Sequence, residues 1–402
     1  MGNRVVITAT DVICPLGSCI KGIVRNMRMD RTSFVRYELD PLVCVAKISE
    51  WDIKSYTGRN KNLRYLNRGA SFALATALNA LAKSGLSRAA RDQAGLFCAA
   101  GPNLDISGEI PNMENKTMPE KELPALWMLR FLPNTASSMI AQLGGIHGEN
   151  LTIGTACSAS LQAIGEAFRK VRDGYLPLAL AGGGDSRLSP GGILAYTKAR
   201  ALRTATDEPP EHYPIFDTRR SGFLPGEGGA FVLLESLDHA RQREAPILGE
   251  VLGYGCSLDG QAMTAPDPQG IQPEQAVRKA LDDADTTPAD IDTVCAHGTG
   301  TPLNDDMESY LISRVFAQSL PAVIALKSWI GHLASACGAV ELAILLGLMQ
   351  TGLLPAVRNL EQPISNQIRC VAHNRRASIS KAVIESFGFG GQNAALVVAP
   401  CK

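Results

Sequence analysis

The sequence predicts an α/β protein built from two similar halves, and three observations carry that prediction. Short β-branched runs alternate with Ala/Leu-rich stretches of helical spacing from one end of the chain to the other. No low-complexity segment or long linker interrupts the alternation. A helix stop followed by a Leu-Pro entry into the next strand occurs twice, at Gly174-Tyr175-Leu176-Pro177 and at Gly352-Leu353-Leu354-Pro355. The repeat suggests a duplication, with halves 1–246 and 247–402 meeting near residues 236–250.

The elements follow in order. Val5–Thr8 reads as a strand, Arg68–Ser84 as a helix with apolar residues at helical spacing, and Gly95–Ala99 as a strand. Helix Ala136–Leu143, strand Leu151–Ile153, helix Ser158–Arg172 and the buried strand Leu178–Ala181 come next, and strand Ala230–Glu235 closes the first half. The second half begins with strand Ile247–Gly255, helix Pro273–Ala284 and strand Thr293–Ala296. It continues through helix Asp305–Phe316, strand Val323–Leu326, helix Cys337–Thr351 and the closing strand Ala394–Val398.

Composition narrows the function classes. The chain has 402 residues, with 39 basic and 39 acidic side chains and no formal net charge. No global field draws it to nucleic acid or to an anionic membrane. With 45% hydrophobic and 19% charged residues it has the profile of a filled core, not of disorder. The ten cysteines form no C-x-x-C pair and have no His at zinc-finger spacing, so a metal site is not expected. Their scatter through apolar runs fits small buried hydrophobes in a reducing compartment, and a cytoplasmic protein is expected. The run Ala339–Val357 is broken by Glu341, Gln350 and Pro355 and reads as a buried helix and turn, not as a membrane span.

Four segments have the residue types that chemistry needs. In Gly154-Thr155-Ala156-Cys157-Ser158-Ala159-Ser160 a short strand turns into a helix at Cys157. A helix N-terminus lowers a thiol pKa and offers N–H groups to an oxyanion, so Cys157 reads either as a nucleophile or as one more buried thiol. In Ala296-His297-Gly298-Thr299-Gly300-Thr301-Pro302, backbone turns frame His297, and Thr299 and Thr301 offer hydroxyls. The alternative there is a turn with a surface His. Lys327-Ser328-Trp329-Ile330-Gly331-His332 puts Lys327 and His332 at a strand-to-helix junction, where Lys327 reads equally as a solvated residue. Phe387-Gly388-Phe389-Gly390-Gly391-Gln392-Asn393 makes a mobile glycine loop carrying Phe389, either a gate or an ordinary turn, and its spacing is not that of a phosphate loop.

Taken together and in this order, the four segments resemble the β-ketoacyl-[acyl-carrier-protein] synthases of the KAS I/II type, within the thiolase superfamily. Phe131-Leu132-Pro133-Asn134, Phe216-Asp217-Thr218-Arg219-Arg220-Ser221-Gly222-Phe223, Gly226-Glu227-Gly228, Met263-Thr264-Ala265-Pro266 and Leu354-Pro355 with Asn359-Leu360-Glu361 extend the likeness over essentially the whole chain. The resemblance implies a thiolase-like fold with five layers, α/β/α/β/α, and decarboxylative Claisen condensation of a Cys-bound acyl group with malonyl-carrier protein. It implies Cys157 as nucleophile, His297 and His332 as the decarboxylating pair, and Lys327 as the lysine of an acidic network with Asp305 and Glu341. Phe389 matches the gate, and its N–H with that of Cys157 would form the oxyanion hole. Thr299 and Thr301 match contacts to a phosphopantetheine arm. No cofactor of the protein's own is implied.

Departures concern the substrate. Gly300 stands where Ser is usual, Gln392 where Thr is usual, and Pro102 at an acyl-pocket position that is normally branched aliphatic. The stretch Asn103–Trp127 is atypical. Fatty-acid elongation and a specialised polyketide or polyene pathway both stay open, as do an idle scaffold subunit of a heterodimer and an acyltransferase that does not condense. The expected partners are an acidic acyl carrier protein and a second ketosynthase-like chain, identical or paralogous. Arg59, Lys61, Arg64 and Arg68, and Lys198, Arg200 and Arg203, resemble carrier-docking positions; each also reads as ordinary solvated charge.

Overall fold

A computed structural model describes residues 2–104, 125–204 and 208–401. Ten strands and six helices make the frame. The first half contains β1 (Val5–Ile13), α1 (Arg68–Ser84), β2 (Gly95–Ala99), α2 (Thr135–Gly144), β3 (Asn150–Ile153), α3 (Ala159–Arg172), β4 (Leu178–Ser186) and β5 (Glu227–Ser236). The second contains β6 (Gly249–Leu258), α4 (Ile271–Asp283), β7 (Thr293–Cys295), α5 (Pro302–Val315), β8 (Ala322–Ile324), α6 (Cys337–Thr351), β9 (Ala382–Gly388) and β10 (Gln392–Ala399).

The strands run β8-β7-β9-β10-β6-β1-β5-β4-β2-β3, with the two-residue strand Arg369–Cys370 beyond β8. Numbered within each half, both orders are 3-2-4-5-1. Both halves also make the first three pairings in this series parallel, parallel and antiparallel, as in β2 with β3, β2 with β4 and β4 with β5. The halves join where β1 pairs with β6, Val5 opposite Val251 and Ile7 opposite Gly249.

Side-chain alternation sorts the layers, because successive strand residues face opposite sides. In β4, Leu178 and Leu180 pack outward against α1 and α2, while Ala179 and Ala181 face the central helices. In β9, Val383 packs outward, and Ala382 and Ile384 face inward. The centre holds α3 and α6, which gives five layers. A Cβ on Gly338 would fall 2.6 Å from Leu161 Cβ, so only glycine lets these two helices close on each other. Helix α6 is buried throughout residues 337–348, Glu341 included. The window Ala334–Thr351 has the length and apolarity of a membrane span but is 83% buried inside the protein, between the two sheet layers. Each of its fully buried leucines contributes roughly 1.5–3 kcal/mol of burial.

The strand Ala382–Gly388 is absent from the sequence reading. Its Glu385 breaks the apolar run, yet that carboxyl is buried. The segment expected to be a mobile glycine loop is a hairpin instead: β9 and β10 pair from Ala382–Val398 to Gly388–Gln392, leaving three residues at the turn.

Candidate active site

The cysteine turn is built by three consecutive devices. After Ile153 the chain enters a 3-10 turn, Ala156–Ser158, and then α3. Ala156 is forced to φ +50°, a left-handed conformation that costs a non-glycine residue of order 1 kcal/mol and swings Cys157 to the helix mouth. Ser386 of β9 donates to the Cys157 carbonyl at 3.0 Å, and Ser158 Oγ donates to the Thr155 carbonyl at 2.8 Å. The Phe389 N–H lies within hydrogen-bonding reach of the Cys157 sulfur. A Cβ on Gly388 would sit 3.0 Å from the Cys157 nitrogen, so glycine keeps that N–H accessible beside it.

The thiol is not poised as an anion, as a helix mouth alone would predict. Burial pushes Cys157 up to about 11, and Asp185 adds to the rise. The cations of Lys327 and Arg187 and the Phe389 N–H offset only part of it. Cys157 rests as a neutral thiol at pH 7.

The two imidazoles meet at the same place. His297 and His332 stand edge to face, ring centroids 5.6 Å apart. The Ala334 N–H donates to His332 Nδ1 at 3.1 Å, which puts the ring proton on Nε2. Lys327 Nζ lies 3.2 Å from His297 Nδ1 and, being cationic, donates there, again leaving the proton on Nε2. Burial, then the Lys327 charge, holds both rings well below the ordinary histidine pKa. They are therefore neutral Nε2–H donors. Cys337, read from sequence as an apolar filler, has its sulfur 3.1 Å from His332 Nδ1.

The acidic network divides its work differently from the expectation. Lys327 and Glu341 form a fully buried pair at 2.7 Å. Asp305 is hydrogen-bonded elsewhere: it accepts from Thr299 and Gly300 N–H, both at 3.1 Å, and from Phe216 N–H at 2.9 Å. Glu308, which sequence reasoning missed, accepts from His297 and Gly298 N–H at 2.6 and 2.8 Å and so sets the backbone of the His297 loop. Glu385 abuts Glu308. Burial, then the Glu308 charge, raises Glu385 far above the carboxylate range, so Glu385 is protonated; burial and the Asp305 charge raise Glu308 to about 7.

Cys157, His297, His332, Thr299, Thr301 and Phe389 line one cleft of about 410 Å³, and Pro102 borders it. The hydroxyls of Thr299 and Thr301 are 2.9 Å apart. Phe389 is 39% exposed at the hairpin tip, which the Gly390 N–H to Met263 carbonyl bond and the Asn393–Asp259 bond hold in place. Arg59, Lys61, Arg64, Lys198 and Arg200 are at the surface. Arg68 and Arg203 are not free for docking. Arg68 is bound to buried Glu227 at 2.6 Å, and Arg203 is buried and paired with Glu208 at 2.6 Å. Residues 105–124 of the atypical stretch lie outside the described residues.

Sequence reading also missed Asp185 and Arg187, an ion pair at the end of β4. Charged residues after a strand look like solvated loop, and only the glycine run before them hinted at close packing.

Comparison with known proteins agrees with this geometry. The beta-ketoacyl synthase N-terminal domain family matches residues 2–240 and the C-terminal domain family matches residues 248–361. A putative mitochondrial 3-oxoacyl-[acyl-carrier-protein] synthase of Schizosaccharomyces pombe is 33% identical, covering 98% of both chains. The 3-oxoacyl-[acyl-carrier-protein] synthase 2 of Coxiella burnetii is 31% identical, again over 98% of each. A putative polyketide beta-ketoacyl synthase of Streptomyces halstedii is 28% identical over 99% of this chain and 98% of its own. Among solved structures, a beta-ketoacyl synthase from Burkholderia phymatum superposes with TM-score 0.91 at 26% identity, and the ishigamide ketosynthase/chain length factor with 0.89 at 27%, each covering all of both chains. The chain belongs to the beta-ketoacyl synthase family, and its fold is the thiolase-like ketosynthase fold.

Proposed function

We propose that the protein is a β-ketoacyl-[acyl-carrier-protein] synthase that joins a Cys157-bound acyl group to malonyl-carrier protein with loss of carbon dioxide. The observation that carries this reading is the meeting of one accessible thiol and two neutral Nε2–H imidazoles in a single cleft.

In the first half-reaction Cys157 Sγ attacks the acyl-carrier thioester. The oxyanion is received by the N–H groups of Cys157 and Phe389, the carrier thiolate leaves, and the Cys157 proton ends on it. In the second, malonyl-carrier protein loses carbon dioxide, and the enolate oxygen takes hydrogen bonds from His297 and His332 Nε2. Each such donor, aimed at charge that develops only in the transition state, is worth about 10²–10³ in rate. The enolate carbon then attacks the Cys157 thioester. A C–C bond forms, the C–S bond breaks, a 3-oxoacyl chain two carbons longer leaves on the carrier, and the Cys157 thiolate takes up a proton from solvent to return to the neutral thiol. Neutral imidazoles suit this step, because a donor that is not cationic stabilises the enolate without protonating it.

On this reading Thr299 and Thr301 guide the phosphopantetheine arm, and no cofactor of the protein's own takes part. The exposed cations Arg59, Lys61, Arg64, Lys198 and Arg200 receive an acidic carrier protein. A second ketosynthase-like chain completes the enzyme as a homodimer or a heterodimer, and the likeness to a ketosynthase/chain length factor structure supports the latter. Ten cysteines that form no disulfide among the described residues support a cytoplasmic location.

The test is a supply of acyl-carrier and malonyl-carrier proteins, with intact-mass analysis and measurement of released carbon dioxide. One carbon dioxide per elongated product, and no acyl adduct in Cys157→Ala, is the expected result. An adduct without carbon dioxide identifies simple acyl transfer, and no adduct in the wild type identifies a scaffold.

A further inference from the structure

One wall of the Cys157 cleft is charged. Arg187 lines it together with Cys157 and His332, and its side chain is only 9% exposed. Asp185 holds two corners of the guanidinium, Nε at 2.8 Å and Nη2 at 3.0 Å. Asp185 is itself fixed by the Ser335 N–H at 3.0 Å, so the fork cannot swing away. A hollow has been made for the pair: a Cβ on Gly101 would lie 1.9 Å from Arg187 Nη2 and 2.6 Å from Asp185 Oδ2. Among the described residues Asp185 is the only hydrogen-bond partner of Arg187, which lines the cleft, and Nη1 is left without one.

A saturated alkyl chain drawn along this wall would strip water from Nη1 and offer no acceptor in return, which leaves a buried donor unsatisfied. A carboxylate is not required, because Asp185 already balances the charge. A neutral oxygen is the complement: a carbonyl or hydroxyl placed in line with a rigid, charge-assisted donor.

Building on the ketosynthase reading, we propose that Arg187 is a specificity-determining residue that selects acyl groups bearing an oxygen near the thioester, 3-oxo or hydroxyacyl chains, over plain alkyl chains. A charge-assisted hydrogen bond of this kind gives about a tenfold preference or more.

The test compares three N-acetylcysteamine thioesters of equal length, octanoyl, 3-oxooctanoyl and octa-2,4-dienoyl, as donors to Cys157, read by intact mass. Intrinsic reactivity cancels when the donor ratio of the wild type is divided by that of the double variant Arg187→Met/Asp185→Asn, which removes both charges together. The 3-oxo to octanoyl ratio is expected to fall about tenfold in the variant. A ratio that does not change, or a wild-type preference for the dienoyl donor, which would mean the guanidinium stacks on π-electrons, overturns the proposal. A second measurement needs no variant: 3-oxooctanamide and octanamide compete with iodoacetamide for Cys157 in the wild type. Protection by the oxo amide at about one tenth the concentration is expected, and equal protection overturns the assignment. Failure of every thioester to acylate Cys157 would strike at the ketosynthase reading instead, while the protection ratio still reports on Arg187.

Discussion

The two halves present the same turn with opposite contents. In each, a 3-10 turn that begins on an alanine in the left-handed region leads into the central helix, Ala156 at φ +50° directly after the third strand and Ala334 at φ +46° after the intervening one-turn helix Lys327–Ile330. The next residue is Cys157 in one half and Ser335 in the other. Each turn is braced by the fourth strand of the opposite half: Ser386 of β9 binds the Cys157 carbonyl, and Asp185 of β4 accepts from the Ser335 N–H. Yet the first turn opens on the cleft, whereas Ser335 is fully buried and its hydroxyl has no partner among the described residues. The buried groups nearest the histidines, Lys327, Glu341, Glu308 and Glu385, belong to the second half, while the first half contributes the Asp185–Arg187 pair. Of two similar helix mouths, one holds the cysteine that the proposed mechanism uses, and the other lies beside the charged groups that contact the histidine loop.

The comparison can be broken most severely at that bed. Lys327→Ala strips buried Glu341 of its ion-pair partner, and a loss of about 3–5 kcal/mol in denaturant unfolding is expected. A loss below about 1 kcal/mol would mean that the pair does not organise the second half. At the first turn the buried thiol sets a pH dependence. Alkylation of Cys157 by iodoacetamide should climb about tenfold per pH unit from pH 7 towards its raised pKa of about 11, and a plateau below pH 8 would restore the thiolate reading.

A smaller effect tests the carboxyl pair. Glu308 and Glu385 both hold their protons more tightly folded than unfolded. Stability from these groups is therefore complete below the unfolded glutamate value and is lost as pH rises through the folded one, near 7 for Glu308. Glu385→Gln keeps the neutral shape beside Glu308 without the titration, so its melting temperature should decline less than the wild type's between pH 5 and pH 8. An equal decline contradicts a raised Glu385. The smallest effect belongs to the residue that takes the place of Cys157 in the second turn. Ser335→Ala removes a buried hydroxyl that makes no hydrogen bond among the described residues and should change stability by less than about 1 kcal/mol, or raise it. A larger loss would reveal a bond that the turn comparison omits.

The sequence made the alternation of strands and helices legible, because each buried run has the period of its element. Arg68–Ser84, Gly95–Ala99 and Cys337–Thr351 have the expected bounds. It also made Cys157, His297 and His332 legible, since glycines and small residues around a reactive side chain mark a backbone-positioned turn. Where reading failed, charge was the reason. Glu385 hid a strand, Arg203 and Arg68 passed for surface, and Glu308, Asp185 and Arg187 passed for solvated residues. A burial-dependent neighbour leaves no mark in one dimension: Glu385 keeps its proton because it is buried beside Glu308, 77 positions away in the chain. The thiol was misjudged for the same reason, because the desolvation that outweighs the helix mouth is a property of the packed protein.

The proposed condensation requires the sulfur of one half and the imidazoles of the other to act in sequence, and a single-turnover experiment meets that requirement head on. Wild-type protein and the His297→Ala and His332→Ala variants are acylated, freed of donor and mixed with malonyl-carrier protein while the Cys157 adduct is followed by mass. All three should load. The wild type should clear its adduct as a 3-oxoacyl product appears, and the variants should retain theirs at least about 100-fold longer. Variants that clear the adduct at the wild-type rate would show that the imidazoles take no part in the second step.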